Sequence, residues 1–313
     1  MVLSLITIVI GVGFLVKGAD WLVDGGAGIA LKSGVSHLVV GLTVVAFGTS
    51  APELTASLVA ALKGSGDICF GNIVGSNVAN IALILGMTAL LRPVVVNRAL
   101  VRWEIPFMIA ISALIWYIGF FNKAERIYGI VLLALFVWYV IHCIQSPPAP
   151  VGVDDEKAMR SYTFLSFLVL LGIGGLVIGG RLFVDGAQNI SRELGVSEAV
   201  IGLTVVSVGT SLPELATSVV AALKGHSDIS LGNIIGSNIF NILLVIGTTS
   251  TLLPFTISRD RFLTVVGLPF MMGLSVILWP ISYSGTRINR IEGGFFFAVF
   301  CMYTVLALVM STH

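Results

Sequence analysis

Residues 41–81 read GLTVVAFGTSAPELTASLVAALKGSGDICFGNIVGSNVANI, and residues 202–242 read GLTVVSVGTSLPELATSVVAALKGHSDISLGNIIGSNIFNI. The two stretches lie 161 residues apart and are identical at 28 of 41 positions without a gap. Each copy carries a proline and an ionisable glutamate, Glu53 or Glu214, inside a hydrophobic segment. A duplication this long indicates that the chain consists of two related halves, and that the repeated block carries its function.

The composition is that of a membrane protein. Hydrophobic residues make up 57% of the 313 residues and charged residues only 11%, whereas a soluble domain carries about 25% charged residues. Such a chain has too little polar surface for water, so we expect it in contact with lipid in the cell membrane. The net charge of +1 gives no electrostatic argument for nucleic-acid binding. The three scattered cysteines indicate neither a disulfide framework nor a metal cluster.

Ten segments are apolar over about the 20 residues that a membrane-spanning helix needs. The predicted fold class is therefore an all-α polytopic membrane protein with ten transmembrane helices. The predicted spans are 2–20, 37–62, 68–91, 104–121, 126–144, 163–182, 198–223, 229–253, 262–281 and 292–310.

The longest polar break, QSPPAPVGVDDEKAMRSY at 145–162, is rich in proline and charge and is predicted to be a linker. It separates a first five-helix repeat, 1–144, from a second, 163–313. Because five is odd, a copy that starts on one side of the membrane ends on the other, and the second copy must enter inverted. Inverted repeats of this kind are typical of secondary transporters.

The distribution of basic residues predicts the orientation, because cytoplasmic loops carry an excess of Lys and Arg. With both termini outside and the linker cytoplasmic, nine basic residues face the cytoplasm and seven face outside. The nine are Lys32, Arg92, Arg98, Arg102, Lys157, Arg160, Lys224, Arg287 and Arg290. We therefore predict this orientation.

The motifs GTSAPE and GTSLPE are predicted to break their spans near the bilayer midplane. Pro52 and Pro213 lack the N–H that would bond the carbonyls of Gly48 and Gly209. A charged side chain at this depth costs about 2.5–3.5 kcal/mol on insertion scales. A broken helix is tolerated in hydrocarbon only where it is buried in protein or lines a polar cavity. Each motif therefore predicts exposed carbonyls, hydroxyls and one carboxylate around a buried site.

These groups are hard oxygen ligands, and no histidine or cysteine accompanies them, which disfavours zinc, copper and iron. Ca²⁺ takes about six to eight oxygen ligands, whereas Mg²⁺ loses its water reluctantly. Two glutamates would neutralise one Ca²⁺, and the same oxygens could hold several Na⁺ ions. The residues thus indicate an oxygen site that suits Ca²⁺ and could also hold Na⁺, with no cofactor.

The span after each glutamate adds amides and hydroxyls, in GNIVGSNVAN (71–80) and GNIIGSNIFN (232–241). The deeper residues of each are predicted to be ion ligands: Ser76, Asn80, Ser237 and Asn241. For the shallower asparagines, hydrogen bonding between helices is an alternative to a role in the site. Those four are Asn72, Asn77, Asn233 and Asn238.

The duplicated G-T-S-x-P-E block followed by G-N-x-x-G-S-N resembles the alpha repeats of the cation/calcium exchanger superfamily, most closely its prokaryotic sodium/calcium exchangers. The resemblance covers essentially the whole chain. It implies antiport of Ca²⁺ against Na⁺ by alternating access, with the first and sixth spans sliding as a gate.

The same resemblance implies roles for individual residues. Glu53 and Glu214 would be carboxylates shared by Ca²⁺ and Na⁺, and the backbone oxygens of Thr49 and Thr210 would complete the Ca²⁺ site. The flanking Na⁺ sites would use the hydroxyls of Ser50, Ser211, Ser76 and Ser237, the carbonyls of Ala46 and Ser207, and the amides of Asn80 and Asn241.

Asn241 departs from the pattern of some family members, which carry aspartate there. In the potassium-dependent branch an acidic residue near this place is linked to K⁺ use, so Asn241 argues against K⁺ dependence. The proton/calcium branch usually shows Gly-Asn-x-x-Glu where this chain has GTSxPE, which favours Na⁺ over H⁺ as counter-ion. A proton/calcium antiporter and a K⁺-dependent sodium/calcium exchanger are the nearest alternatives.

Two other classes fit the residues less well. An ion channel would need a continuous pore lining, and paired carboxylates on opposite half-helices suit one occluded central site better. An intramembrane enzyme could use the glutamates as acid and base, but the sequence shows no nucleophile–base pair and no metal triad. We therefore expect a transporter and not an enzyme.

Overall fold

The computed structural model describes residues 1–120, 123–145, 160–195, 207–257 and 262–311. The described chain is almost entirely helical. Most of the predicted linker and the start of the predicted seventh span, 198–206, lie outside the described residues. The helices are, in chain order, α1 (Val2–Ser33), α2 (His37–Thr49), α3 (Ala51–Leu62), α4 (Gly66–Leu91), α5 (Leu100–Phe120), α6 (Arg126–Gln145), α7 (Tyr162–Glu193), α8 (Ser207–Thr210), α9 (Leu212–Leu223), α10 (Ser227–Leu252), α11 (Leu263–Ser284) and α12 (Arg290–Ser311).

Within the described residues, eight helices are long and apolar enough to cross a membrane. The bent pair α2–α3 makes a ninth if it counts as one span. Helices α1 and α7 are longer than the predicted first and sixth spans, because they continue to Ser33 and Glu193. The length of an apolar segment predicts where the chain leaves the hydrocarbon. The helix itself can continue further, where its polar residues have partners.

Helices α1 and α7 pack closely side by side through glycines. A Cβ on Gly18 would lie 2.7 Å from the backbone nitrogen of Leu176, and a Cβ on Gly11 would lie 2.8 Å from the carbonyl oxygen of Gly179. As the chain advances along α1 its neighbours on α7 move backwards in number, so the two helices are antiparallel. Glycines at such an interface allow backbones to approach each other.

Helices α4 and α10 form the centre of the molecule, with 83% and 94% of their most apolar windows buried. Each contains a π-helical stretch, Asn80–Leu85 in α4 and Asn241–Ile246 in α10. Short π-helical segments inside α-helices are frequent at functional sites. Both stretches begin at an asparagine that the sequence predicts as a ligand.

Two short antiparallel sheets join the halves. Strand β1 (Val94–Val95) pairs with β4 (Arg287–Ile288), and β2 (Lys123–Ala124) pairs with β3 (Phe255–Thr256). Each sheet therefore combines one strand from each half. These pairings hold the loop ends of the spans on both sides of the central helices.

An ionic cluster connects α1 to the end of α9. Lys224 Nζ contacts Asp20 Oδ1 and lies 3.0 Å from Asp24 Oδ1. Lys17 Nζ lies 3.6 Å from the other oxygen of Asp20. The cluster gives the polar residues of α1 their partners and explains why the helix continues past its apolar segment.

Candidate cation site

Each GTSxPE motif interrupts a helix at its serine. Helix α2 ends at Thr49, and α3 begins at Ala51 after a bend of 44°. Ser50 has φ −82° and ψ 2°, and its counterpart Ser211 has φ −90° and ψ 5°. Pro52 lies in the first turn of α3, where its missing N–H has no helical partner to lose. The break thus falls between the predicted glycine and proline.

The breaks place both glutamates at the start of a half-helix. Glu53 lies in the first turn of α3 and Glu214 in the first turn of α9. The N-terminal end of a helix carries a partial positive charge that favours a carboxylate. Both side chains are buried, each only 1% exposed, and they are close enough to interact electrostatically. Glu214 also lies beside Thr49 and Ser50 of the other half.

Two asparagine pairs cross the centre between α4 and α10. Asn80 Nδ2 donates to Asn238 Oδ1 at 3.2 Å, and Asn241 Nδ2 donates to Asn77 Oδ1 at 3.1 Å. Each terminal amide therefore uses its NH₂ group toward the other half of the molecule. The side-chain oxygens of Asn80 and Asn241 are left without a hydrogen bond within the part of the chain that the structure describes.

Seven buried side-chain oxygens on the predicted ligands make no hydrogen bond with any described residue. Buried polar atoms in folded proteins are nearly always paired, and leaving one unpaired costs about 1–3 kcal/mol. Oxygens that are buried and open in this way are available to bind cations. The seven are Ser50 Oγ, Ser211 Oγ, Glu53 Oε2, both carboxylate oxygens of Glu214, Asn80 Oδ1 and Asn241 Oδ1.

The other predicted ligands differ in their placement. Ser76 and Ser237 are buried, and Ser237 Oγ lies 3.4 Å from the hydroxyl of Thr49. The Thr49 hydroxyl already donates to Asn233 Oδ1 at 3.0 Å, so it is not among the open oxygens. The carbonyl of Ala46 accepts from the backbone N–H of Ser50 at 3.0 Å.

In the second half, Thr210 is only half-buried and lines a cavity. Ser207 begins α8, and its side chain lies outside the described residues. Among the predicted ligands, the ones with open buried side-chain oxygens are Glu53, Glu214, Ser50, Ser211, Asn80 and Asn241.

Asn72 and Asn233 brace the half-helices that carry the glutamates. Asn72 Nδ2 donates to Ser57 Oγ at 3.1 Å and to the backbone carbonyl of Glu53 at 3.5 Å. Asn233 Nδ2 makes the equivalent bonds, to Ser218 Oγ at 3.0 Å and to the carbonyl of Glu214 at 3.4 Å. Hydrogen bonding between helices, the alternative noted for these two residues, is what the structure shows.

A cavity of about 690 Å³ reaches the helix breaks from one side of the molecule. Pro52, Thr210 and Pro213 line its inner part, and Lys63 and Arg181 also line it. On the opposite side Gly41 packs against α10, where a Cβ would lie 2.8 Å from the carbonyl of Ile229. The described residues thus give access to the site from one side.

Long apolar helices packed around buried carboxylate, hydroxyl and amide oxygens are typical of a polytopic membrane transport protein. The sequence profile of the sodium/calcium exchanger protein family matches residues 3–145 and 164–309, so the chain belongs to that family. The family resemblance predicted from the repeated motifs is confirmed.

Named relatives agree with this assignment. The sodium/calcium exchanger MaX1 of Methanosarcina acetivorans is 32% identical over 350 residues, covering 98% of each chain. The inner membrane protein YrbG of Escherichia coli is 35% identical over 276 residues, covering 83% of this chain and 85% of its own. A solved structure of the sodium-calcium exchanger NCX_Mj matches with a TM-score of 0.84 and 32% identity over 98% of each chain. The chain is a transporter of this family and not an enzyme.

Proposed function

We propose that the protein is a secondary antiporter that exchanges Ca²⁺ for Na⁺ by alternating access. The observation that supports the proposal is the set of seven buried side-chain oxygens, on the two glutamates and on four further predicted ligands, that make no hydrogen bond with a described residue. The two carboxylates balance the charge of one Ca²⁺, or of Na⁺ ions that occupy the same oxygens. One shared site of this kind makes the two ions exclude each other, which is the requirement for exchange. The relatives named as sodium/calcium exchangers support the choice of ions.

The proposed ligands follow from the motif and from the placement of the side chains. Ca²⁺ would bind the two glutamates and the backbone oxygens of Thr49 and Thr210. Na⁺ would use the glutamates together with Ala46, Ser50, Ser76, Asn80, Ser207, Ser211, Ser237 and Asn241. The glycines and prolines of the breaks, Gly48, Pro52, Gly209 and Pro213, keep the half-helices apart so that these oxygens can face the ions. No cofactor takes part beyond the transported ions.

We propose the ten-span architecture with inverted halves, 1–144 and 163–313, for the whole chain. Two observations support it: α1 and α7 are antiparallel, and each small sheet combines one strand from each half. Equivalent helices that run in opposite directions are what inverted repeats require. Both termini would lie outside, and the linker 145–162 would lie in the cytoplasm of a lipid-embedded protein.

The deciding experiment measures uptake of radiolabelled Ca²⁺ into proteoliposomes loaded with Na⁺, K⁺ or choline at matched pH. Uptake that requires internal Na⁺ and proceeds without K⁺ is the expected result. A further arm without Na⁺ imposes a pH gradient. Uptake driven by that gradient alone would assign the protein to proton/calcium antiport and contradict the proposal, and uptake only with Na⁺ and K⁺ together would indicate a K⁺-dependent exchanger.

A further inference from the structure

Behind each deep asparagine lies a second asparagine and then a methionine. In one chain of contacts, Asn241 Nδ2 donates to Asn77 Oδ1 at 3.1 Å, and Asn77 Nδ2 lies 3.9 Å from Met271 Sδ. All three side chains are buried. The methionine lies on α11, the middle residue on α4 and the last one on α10. Three helices therefore contribute to one line of contacts that ends at the open oxygen of Asn241.

The second half repeats the arrangement. Asn80 Nδ2 donates to Asn238 Oδ1 at 3.2 Å, and Asn238 Nδ2 lies 3.5 Å from Met108 Sδ. The two methionines occupy equivalent motifs, IPFM at 105–108 and LPFM at 268–271. Asn77 Nδ2 also donates to the backbone carbonyl of Asn238 at 3.3 Å, which links the two lines. The same geometry in both halves indicates a built feature and not a local accident.

The direction of each line follows from what the atoms can do. A thioether sulfur accepts hydrogen bonds weakly and donates none, whereas an amide has a donating end and an accepting end. Sulfur therefore favours the NH₂ end of the middle asparagine, whose oxygen then faces the next residue. That oxygen accepts from the NH₂ group of the deep asparagine. The side-chain oxygen of the deep asparagine is then left open for a cation. A reversed deep amide would direct its positive NH₂ end at the cations.

We propose that Asn77 and Asn238, oriented by Met271 and Met108, are positioning residues that fix the amide direction of Asn241 and Asn80. The inference rests on the proposed function, since it takes the deep asparagines as cation ligands. Residues behind a metal ligand typically change metal affinity about 10–100-fold when they are replaced. The middle asparagines would act on affinity without touching an ion.

The first test compares Asn77→Leu with Asn77→Asp in Ca²⁺/Na⁺ exchange. Leucine removes the acceptor for Asn241 Nδ2, so we expect the KM for both ions to rise about 10–100-fold, with a much smaller change in the maximal rate. Aspartate keeps an acceptor for the same NH₂ group but loses the donor to the Asn238 carbonyl, so the KM should rise less than in Asn77→Leu. Equal KM increases in both variants, or no increase in Asn77→Leu, would overturn the proposal.

The second test uses a variant at position 241 whose side chain does not need to be oriented. In Asn241→Asp the two side-chain oxygens are equivalent and no NH₂ group can point at the cation. Adding Asn77→Leu to Asn241→Asp should therefore leave the KM close to that of Asn241→Asp alone. A merely structural role for Asn77 would lower affinity equally in both backgrounds, and that result would contradict a positioning role.

A third variant separates this proposal from the site assignment on which it rests. Asn241→Leu removes the ligand itself and should raise the KM at least as far as Asn77→Leu does. If Asn241→Leu weakens binding and Asn77→Leu does not, the site stands and the positioning role is wrong. If neither changes the KM, the deep asparagine is not a ligand and both proposals fail. Melting temperature in detergent checks that each variant is folded.

Discussion

Glu53 and Glu214 combine two features that rarely occur together, namely burial to 1% exposure and placement at helix N-terminal ends. A buried charge is costly unless it is paired, so two buried carboxylates at this depth indicate a partner of opposite charge. Both glutamates, Ser50 and Ser211 could be predicted as site residues because the motif is duplicated. The role of Asn77 could not, because the direction of its amide depends on the backbone carbonyl of Asn238 and on Met271, which lie 161 and 194 positions further along the chain.

Replacing either carboxylate should abolish Ca²⁺ transport. In Glu53→Gln or Glu214→Gln one negative charge remains against a dehydrated divalent ion, and removing one partner of a buried charge pair costs about 3–5 kcal/mol. We expect Ca²⁺ exchange to fall by about 100-fold or more, measured as initial uptake in proteoliposomes. Glu104→Gln is the matched control. Glu104 is also buried, but it lies in α5 beside Tyr139 and Cys143 of α6, so its neutralisation should spare transport. Normal Ca²⁺ transport by either site variant would show that the site is assigned wrongly.

Asn241→Asp should change ion selectivity, because it adds a third carboxylate to the cage. The extra negative charge favours the binding of one more monovalent cation or of a proton. We therefore expect K⁺ to stimulate exchange or protons to inhibit it more strongly. Exchange rates measured across K⁺ concentrations and across pH check this. An unchanged selectivity profile would place Asn241 outside the site.

At the scale of elements, the close approach of α1 and α7 depends on glycines that face backbone atoms. The apolar pattern predicts that both helices exist, but it does not predict their pairing or their length. Their pairing depends on glycines that meet backbone atoms far away in the sequence, such as Gly11 with Gly179 and Gly18 with Gly172. Their length depends on partners such as Lys224 for Asp20 and Asp24. Neither feature is encoded in a local window of sequence.

Gly18→Ala should weaken this helix pair, while Gly13→Ala should not. A Cβ on Gly18 would lie 2.7 Å from Leu176 N and 2.8 Å from Gly172 O, backbone atoms that cannot rotate away. Overpacking of this kind typically costs about 1–3 kcal/mol. Gly13 lies in the same helix with no described atom near its Cβ position, and alanine is the better helix former. Thermal unfolding in detergent should show a lower midpoint for Gly18→Ala only, and equal midpoints would contradict the close contact.

At the scale of the whole molecule, equivalent residues of the two related halves occupy different environments. Lys224 binds the two carboxylates of α1, whereas its equivalent Lys63 lines the open cavity together with Arg181 and Asp185. The repeat in the sequence predicts equal halves, so it cannot predict which side is open. In any one conformation of an antiporter the two halves must be arranged differently, because a site accessible from both sides would let ions cross the membrane without exchange.

The open side can be identified by labelling a cysteine in the cavity. Ala56 is exposed and lines the cavity. The cavity also includes Lys63 at the end of α3. Because α1 crosses the molecule and α2–α3 return, Lys63 lies on the same side as Met1. With the termini outside, Ala56→Cys should react with a membrane-impermeant maleimide added to intact cells. The background carries Cys301→Ala, since Cys301 is exposed while Cys69 and Cys143 are buried.

Arg98→Cys is the matched control for this labelling experiment. Arg98 is exposed in the connection between α4 and α5, on the side opposite Met1, and should react only after the cells are opened. If Arg98→Cys reacts in intact cells and Ala56→Cys reacts only after the cells are opened, the proposed orientation is reversed and the cavity assignment stands. A third outcome is that neither cysteine reacts with the maleimide in intact cells and that Ala56→Cys stays unreactive after the cells are opened. That result would mean that the cavity is closed in the membrane. Labelling of Ala56→Cys from outside alone would establish that the site faces the exterior when the two halves are arranged as described here.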